Sequence, residues 1–234
     1  GKAMQREISE TAKKYGIRLP DRQLACAPVN SPEGKAYFGA MAASANYAWA
    51  NRQIIMHMTR DVIGKMFHIG EEEMPLVYDV AHNVAKIEEH MVDQQKMTLC
   101  IHRKGATRAF GPGCPDLPHD FRAVGQPVII PGSMGTSSFL LHGTAAAMEM
   151  TFGSTCHGSG RVMSRSSAKK KITGQEVKAA LAREGIIVRA HSDNAIADEA
   201  PQVYKPSEEV VRVVHEAGIS RIVARLEPLG VIKG

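Results

Sequence analysis

The chain has 234 residues, of which 44% are hydrophobic, so it can bury a sizeable core and is not a disordered or fibrous protein. Lys and Arg number 29 and Asp and Glu 24, and this net charge of +5 permits a polyanionic partner without requiring one. The four cysteines show no CxxC spacing, and no apolar run or leader of membrane-spanning length occurs. We therefore expect reduced thiols, no membrane segment and a cytoplasmic protein.

The first third of the chain is predicted to be mainly helical. Residues 3–14 are helix-forming and Gly16 can stop them, while 23–29 resembles a short strand before a turn. Residues 35–67 are rich in alanine and methionine and contain no proline, which predicts one long helix or a kinked pair. Because the chain begins at Gly1, inside a helix-like segment, we expect it to be the C-terminal part of a longer protein.

Strands dominate the predicted middle of the chain. Four β-rich runs are bounded by Gly, Pro or Asp, at 76–80, 98–103, 127–130 and 138–142. No repeat, low-complexity segment or linker interrupts them. The middle of the chain therefore predicts sheet structure with no obvious domain break.

The last third alternates helix and strand. Thr173 is a predicted N-cap with Glu176 three residues later, and Gly185 stops that helix before a strand at 186–190. Ser207 is predicted to cap a second helix over 207–217, followed by a strand over 219–231. Together the elements predict an α+β protein.

Residues 155–165 carry the pattern best suited to phosphate chemistry. His157 lies among small residues, and glycines at 158 and 160 allow a backbone to approach an anion closely. Arg161 and Arg165 would share a face if this segment were helical, so both could contact one phosphate path. A plain turn followed by two solvated arginines remains an alternative.

Several segments, in the same order along the whole chain, resemble the RtcB family of RNA ligases. The most specific are 23–27 (QLACA), 46–52 (NYAWANR), 78–83 (YDVAHN), 102–108 (HRKGATR), 131–136 (PGSMGT), the His157 segment, 199–201 (EAP), 204–205 (YK) and 231–234 (VIKG). The resemblance implies an RtcB-like α+β fold with mainly antiparallel sheets packed against helices. It also implies that residues 1–234 are the C-terminal part of a single ligase domain.

The resemblance implies a GTP- and manganese-dependent ligase of tRNA splicing and RNA repair. In that family the histidine matching His157 attacks the α-phosphate of GTP, giving a histidine–GMP adduct. The substrates would be tRNA exon halves or broken RNA, with a 2′,3′-cyclic phosphate or 3′-phosphate on one end and a 5′-hydroxyl on the other. The need for an archease-like activator stays open.

The same resemblance assigns further site residues. His82 matches a ligand of Mn²⁺, Tyr204 an aromatic that stacks on guanine, and Lys233 a residue that reads the base edge. The expected guanosine and phosphate contacts are Asn83, Pro131, Gly132, Ser133, Met134, Ser138, Gly158, Ser159 and Gly160. Arg161 and Arg165 would hold RNA or nucleotide phosphates. Each also has a structural alternative, such as a turn at 132–133, a core Tyr204 or a frayed tail at Lys233.

Some alternatives remain open from the sequence. Cys156 is a rival nucleophile beside His157, although adjacent side chains generally diverge. The family's other metal ligands belong to motifs that this chain does not contain, so we expect it to be impaired alone. A non-catalytic RNA- or nucleotide-binding protein and a ligase for DNA 3′-phosphate ends are the rival functions. The other eight histidines are interpreted as structural or surface residues: His57, His68, His90, His102, His119, His142, His191 and His215.

Overall fold

The computed structural model describes residues 11–21 and 24–229, and the chain divides into two compact units. The first comprises Gly1–Asp79 with Val84–Ile87, and the second comprises Val80–Asn83 with Glu88–Gly234. That 1–234 belongs to a single ligase domain stays a prediction.

The first unit is built on one long helix, α1 (Pro32–Phe67). Its start is fixed by Ser31, whose hydroxyl accepts the Gly34 N–H at 3.0 Å, and its end by His68 in the left-handed region at φ 57°. The predicted long helix is thus confirmed as a single element. Of the helix predicted over 3–14, only 11–14 are described, and these are helical.

Two strands predicted near this unit are wrong. Residues 24–28 and residues 76–80 have no regular secondary structure, and Val29 lies in a turn. A β-rich sequence becomes a strand only if another strand pairs with its backbone, and a local pattern does not report such a partner. A short 3₁₀ turn at Glu71–Glu73 follows α1. Among the residues that the structure describes, no helix combines the length and hydropathy needed to cross a bilayer.

Within the residues that the structure describes, seven strands form three small sheets. They are β1 (Asn83–Val92), β2 (Gln95–Lys104), β3 (Ala106–Arg108), β4 (Pro127–Ile130), β5 (Ser138–Gly143), β6 (Ser154–Cys156) and β7 (Ser220–Leu226). β1 pairs with β2, β3 with β6, and β4, β5 and β7 form a three-stranded sheet in that order. The pairings of β3 with β6, β4 with β5 and β5 with β7 are antiparallel, which confirms the predicted mainly antiparallel α+β class.

The strands predicted at 98–103, 127–130 and 138–142 are confirmed in β2, β4 and β5. β7 confirms part of the strand predicted over 219–231, whose last two residues lie outside the described ones. The strand predicted at 186–190 is wrong. Ile186 and Val188 pack against a core cluster, but the segment pairs with no strand of the described chain and Ile187 is 86% exposed.

Short helices complete the second unit. They are α2 (His119–Arg122), α3 (Ala145–Thr151), α4 (Arg165–Lys171), α5 (Gly174–Arg183), α6 (Asp193–Asp198) and α7 (Ser207–Glu216), with a 3₁₀ turn at Pro201–Val203. The capping box of Thr173 and Glu176 is confirmed, with reciprocal bonds of 3.2 and 3.1 Å. The prediction that Ser207 caps α7 is wrong, because Pro206 is the N-cap and the Ser207 hydroxyl donates to the Ser137 carbonyl oxygen.

Two apolar clusters stabilise this unit. One joins the β4–β5–β7 sheet to α7, and its buried members are Ala109, Val128, Ile130, Phe139, Leu141 and Val211. The other joins α4, α5, α6 and the 3₁₀ turn, and its buried members are Ala168, Val177, Leu181, Ile196, Ala200 and Val203. Cys156 packs against the first cluster, and Met134 and Tyr204 pack against the second. The clusters therefore anchor the segments that carry the predicted site residues.

Candidate active site

His157 and His82 form a stacked pair. Their ring centroids lie 4.0 Å apart and the ring planes differ by 13°. His157 follows the last residue of β6, and its backbone N–H donates to the Gly105 carbonyl oxygen at 3.3 Å. The Gly105 N–H in turn donates to the Asn83 side-chain oxygen at 3.2 Å. The structure thus brings together His157, His82 and Asn83, three residues that the sequence predicted for one site.

Gly105 forms the junction that makes this arrangement possible. It separates β2 from β3 and has a φ of +65°, which glycine adopts without the steric cost that a side chain would add. Just beyond it, Ala106 pairs with Cys156 in the β3–β6 ladder. No role was predicted for Gly105, although it lies within the 102–108 motif.

The stacked rings are suited to nucleophilic chemistry. The lone pair of an imidazole nitrogen lies in the ring plane, so stacking against the ring face does not cover it. A neutral imidazole is a competent nucleophile near neutral pH. The pair can therefore present two ring edges to one ligand.

Cys156 is poorly suited to act as the nucleophile. Its side chain is partly buried and packs against the sheet core. Burial raises the pKa of the Cys156 thiol, and hydrogen bonds involving Thr155 and the Cys156 backbone oppose this shift only in part. Because the thiolate is the reactive form of cysteine, the environment of Cys156 favours the unreactive thiol.

The 131–138 segment is a hydrogen-bonded loop. The Gly132 N–H donates to the Ser138 hydroxyl at 2.9 Å, and the Ser133 N–H donates to the Thr136 hydroxyl at 2.6 Å. The Ser133 hydroxyl donates to the Glu199 carbonyl oxygen at 3.2 Å. Three of the predicted nucleotide contacts, Gly132, Ser133 and Ser138, therefore share one loop whose shape is set by side-chain hydrogen bonds.

Arg161 and Tyr204 form a second group of predicted residues. The guanidinium lies over the Tyr204 ring, 5.1 Å from its centroid, and donates to the Tyr204 hydroxyl at 3.1 Å. It also donates to the Asp198 carbonyl oxygen at 2.7 Å. The Tyr204 hydroxyl donates to Glu199 Oε2 at 2.6 Å, and burial together with Glu199 raises the pKa of Tyr204. Because Arg161 covers one ring face, a stacked base would have to use the other.

The expectation that Arg161 and Arg165 share a helical face is wrong. Arg161 pairs with Tyr204 in an isolated antiparallel bridge, and α4 begins only at Arg165. The two guanidinium groups nevertheless approach the same acceptor, Glu199 Oε1, at 3.8 and 3.9 Å. The Arg165 side chain is 72% exposed and that of Arg161 is 23% exposed, so Arg165 is the more accessible cation.

We expect Arg161→Ala and Arg165→Ala to have different effects. Arg161→Ala removes several hydrogen bonds of a charged donor and should lower the free energy of unfolding by about 2 kcal/mol. Arg165→Ala should change it by less than about 0.5 kcal/mol. If Arg165 contacts RNA, its loss should weaken RNA binding and flatten the plot of log affinity against log salt by about 0.7. Urea melts and salt titrations measure both effects, and an unchanged salt slope for Arg165→Ala would contradict its role.

A cavity of about 690 Å³ lies beside this second group. Met134 and Arg165 line it, together with Asp198 and Glu199 and with apolar side chains that include Ile196. His157, His82 and Tyr204 are not among its lining residues. Of the predicted site residues, Met134 and Arg165 therefore line this cavity, and the histidine pair does not.

The described residues do not by themselves form a metal centre. Within 11–21 and 24–229, no three His, Cys, Asp or Glu side chains lie close enough together to hold an ion. His82 supplies one imidazole, which suits a divalent ion but is too few donors for a closed site. Lys233, the predicted base-reading residue, lies outside the described residues.

A buried polar network borders the strand before His157, and the sequence did not indicate it. Arg103 on β2 donates to both carboxylate oxygens of Glu88 on β1, at 2.7 and 2.8 Å. His90 Nε2 lies 3.0 Å from Glu88 Oε2. All three side chains are at most 7% exposed. Residue types alone do not distinguish such a pair from a surface ion pair, because only the fold shows the burial.

We expect the Glu88 carboxylate to make stability depend on acid pH. Burial raises its pKa, but hydrogen bonds from Arg103 and His90 outweigh this, so the pKa of Glu88 lies below its ordinary value of 4.5. Its contribution is therefore complete above the unfolded-state value and is lost as the pH falls through the folded-state value. Between pH 6 and pH 3, the melting temperature should fall less steeply with decreasing pH in Glu88→Gln than in the parent. Glu216→Gln, in an exposed pair, is the control, and identical slopes in parent and Glu88→Gln would contradict the prediction.

Comparison with known proteins gives the family. All residues, 1–234, match the family model described as tRNA-splicing ligase RtcB. Relatives named tRNA-splicing ligase RtcB include those of Archaeoglobus fulgidus, 64% identical over 97% of this chain, and Methanococcus maripaludis, 55% identical over 98%. The relative from Thermococcus kodakarensis is 52% identical over 98% of this chain. Each match covers 48% of the relative, so the chain spans about half the length of these proteins. The chain belongs to the tRNA-splicing ligase RtcB family.

Proposed function

We propose that this chain carries the nucleophile of a GTP-dependent RNA ligase, and that His157 is this nucleophile. The observation that carries the proposal is the stacked pair of His157 and His82, linked to Asn83 through the Gly105 backbone. Family membership supports it, because curated relatives of this chain are named tRNA-splicing ligases. The set brings the predicted nucleophile together with a predicted metal ligand and a predicted guanosine contact.

The first proposed step is transfer of GMP to His157. The lone pair of one imidazole nitrogen attacks the α-phosphorus of GTP and forms an N–P bond. The bond from this phosphorus to the bridging oxygen breaks, and pyrophosphate leaves with its electron pair. Backbone N–H groups of 158–160 are placed just after His157 and would offset charge on the phosphate oxygens.

The later proposed steps join the RNA ends. A 2′,3′-cyclic phosphate is first opened by water to a 3′-phosphate. An oxygen of the 3′-phosphate then attacks the phosphorus of the adduct, which breaks the N–P bond and releases the imidazole. The 5′-hydroxyl of the second RNA attacks the activated 3′-phosphate, gives up its proton and displaces GMP. The nucleotide is consumed because GMP is a better leaving group than an oxide ion.

The remaining predicted residues would bind nucleotide and RNA. The loop that contains Gly132, Ser133 and Ser138 supplies backbone and hydroxyl groups, and Tyr204 supplies an aromatic face. Arg165, with its exposed guanidinium, is the cation best placed to meet an RNA phosphate. Lys233 keeps its proposed role at the base edge.

Manganese is proposed as the metal, with His82 as one ligand. A bound divalent ion would offset the negative charge of the phosphates. The described residues hold no cluster of three donors, so a complete site would need ligands from outside them. We therefore expect the 234-residue chain alone to form the adduct slowly or not at all.

The test uses the chain alone and a chimera. In the chimera this chain replaces the matched segment of the Archaeoglobus fulgidus protein, to which it is 64% identical. Each protein is incubated with α-labelled GTP and manganese, denatured and digested, and mass spectrometry locates any GMP. An acid-labile adduct on His157 is expected in the chimera. An adduct on another residue would overturn the assignment of His157 as nucleophile, and the absence of any adduct would favour a binding-only protein.

The nucleic acid is tested with matched substrates. RNA and DNA pairs of equal sequence, each with a 3′-phosphate and a 5′-hydroxyl, are offered to the chimera with GTP. We expect joining of the RNA pair and little joining of the DNA pair. If the DNA pair were joined faster, DNA would become the proposed substrate. The proposed role of His157 would not change.

A further inference from the structure

The buried pair of Glu88 and Arg103 is connected to the segment that carries His157. Arg103 Nε donates to the Ser154 hydroxyl at 2.9 Å, and one of its terminal nitrogens donates to the Phe152 carbonyl oxygen at 2.9 Å. Ser154 is the first residue of β6 and lies three positions before His157. One guanidinium therefore joins the β1–β2 sheet to the start of the strand that leads to His157.

The backbone on both sides of these contacts is tightly constrained. Phe152 has a φ of 51°, a left-handed conformation that is uncommon for a residue with a side chain. Gly153 follows with a φ of 60°, and a Cβ there would overlap the Phe110 ring. Beyond β6, the His157 N–H is held by Gly105, which lies two residues after Arg103. Residues 103 and 105 thus hold the 152–157 segment near its beginning and at its end.

The chemistry of the pair is better suited to fixing geometry than to adding stability. A buried ion pair commonly contributes little more than well-packed apolar side chains of similar size, because desolvation offsets the Coulomb attraction. A bidentate arginine–carboxylate contact does fix the position and orientation of the guanidinium. Here Glu88 fixes Arg103, and the remaining N–H groups of Arg103 fix Phe152 and Ser154.

We propose that Glu88 and Arg103 are positioning residues that set the register of β6 and thereby hold the His157 ring against His82. This inference rests on the proposed function, because it gives the pair a part in the attack of His157 on GTP. Neither residue contacts the reacting atoms in this scheme. Their effect passes through Ser154 and Phe152 to the backbone of His157.

Two variants separate positioning from folding. Ser154→Ala removes one link between Arg103 and β6 and leaves the ion pair intact. Glu88→Leu combined with Arg103→Met replaces the pair with apolar side chains of similar size, which should preserve stability. The control is Arg212→Met with Glu216→Leu, which removes an exposed pair on α7 that has no link to β6.

Two measurements are made on each variant. The first is the NMR spectrum of histidine-labelled 234-residue chain, in which the stacked rings of His157 and His82 shift each other's ring protons. The second is the rate of GMP adduct formation in the chimera at saturating GTP. In both test variants we expect altered ring-proton shifts and a rate at least about 10-fold lower, since a displacement of about 1 Å can slow a reaction about 100-fold. The GTP concentration for half-maximal rate should change little.

Separate results bear on the two proposals. Parent-like ring shifts in a folded variant would overturn the positioning role, whether or not any adduct forms. An absent adduct in the parent would overturn the proposed function and leave the ring shifts to decide the positioning role. If the double variant does not fold, Ser154→Ala decides alone, and parent-like shifts and rate in it would overturn the inference.

Discussion

Replacing His157 with asparagine is expected to abolish the GMP adduct and to leave the protein folded. Asparagine is polar but has no imidazole nitrogen to form the N–P bond, so the rate of adduct formation should fall by at least about 1,000-fold. His157 is only partly buried and follows a strand rather than lying within it, so the free energy of unfolding should change by no more than about 1 kcal/mol. Quenched-flow labelling with α-labelled GTP measures the rate, and urea melts measure stability.

The matched control is the neighbouring residue. Cys156→Ala retains the β6 backbone and its pairing with Ala106, and it removes only a partly buried thiol whose pKa is raised by burial. We expect the adduct to form in this variant at a rate within a few-fold of the parent, with a modest loss of stability. If the adduct persists in His157→Asn and is lost in Cys156→Ala, the Cys156 thiol is the nucleophile.

Elements with strong local signals were predictable from the sequence. The long helix α1 has no proline after its first residue, and α5 carries its capping box within four residues. The strands β4 and β5 were also found, because each is a short apolar run between turn residues. The segments 76–80 and 186–190 are also β-rich, but neither pairs with a strand within 11–21 and 24–229. The presence of a partner depends on distant parts of the chain.

Three members of the candidate site were predicted from the sequence, but the contacts that connect them were not. His157, His82 and Asn83 were identified through the family resemblance, and the structure places them together. Their link through Gly105 and the anchoring of β6 by Arg103 join residues about 50 positions apart, which no local pattern encodes.

The mistaken helical face of Arg161 has a local cause. Gly160 has a φ of +72°, which turns the chain out of a helical path just before Arg161. Arg161 then pairs with Tyr204 across a bridge, and its guanidinium stacks on that ring. The spacing of four between Arg161 and Arg165 was therefore a coincidence of sequence, and their approach to a common carboxylate, that of Glu199, comes from tertiary structure.

Gly132→Ala is expected to damage both the fold of the 131–138 loop and nucleotide binding. A Cβ at this position would overlap the carbonyl oxygens of Thr136 and Ser137, and it would lie 2.7 Å from the Ser137 carbonyl carbon. These are backbone atoms that cannot rotate away, so the loop must deform, and overpacking of this kind costs about 1–3 kcal/mol. The Gly132 N–H would also lose its bond to Ser138, and we expect GTP affinity to fall at least about 10-fold. Thermal melts and GTP titration monitored by calorimetry, both with the chimera, measure these effects.

Gly158→Ala is compared with Gly132→Ala to separate an effect on stability from an effect on GTP binding. No described atom lies within 4 Å of a Cβ built there, and its φ lies outside the left-handed range, so its stability should match that of the parent. If the Gly158 backbone approaches phosphate, the added methyl group should occupy ligand space and lower GTP affinity without lowering the melting temperature. Equal losses of stability in the two variants would contradict this prediction, because a Cβ would overlap backbone atoms at Gly132 and not at Gly158. A normal GTP affinity in Gly132→Ala, despite a lower melting temperature, would remove this loop from the nucleotide site.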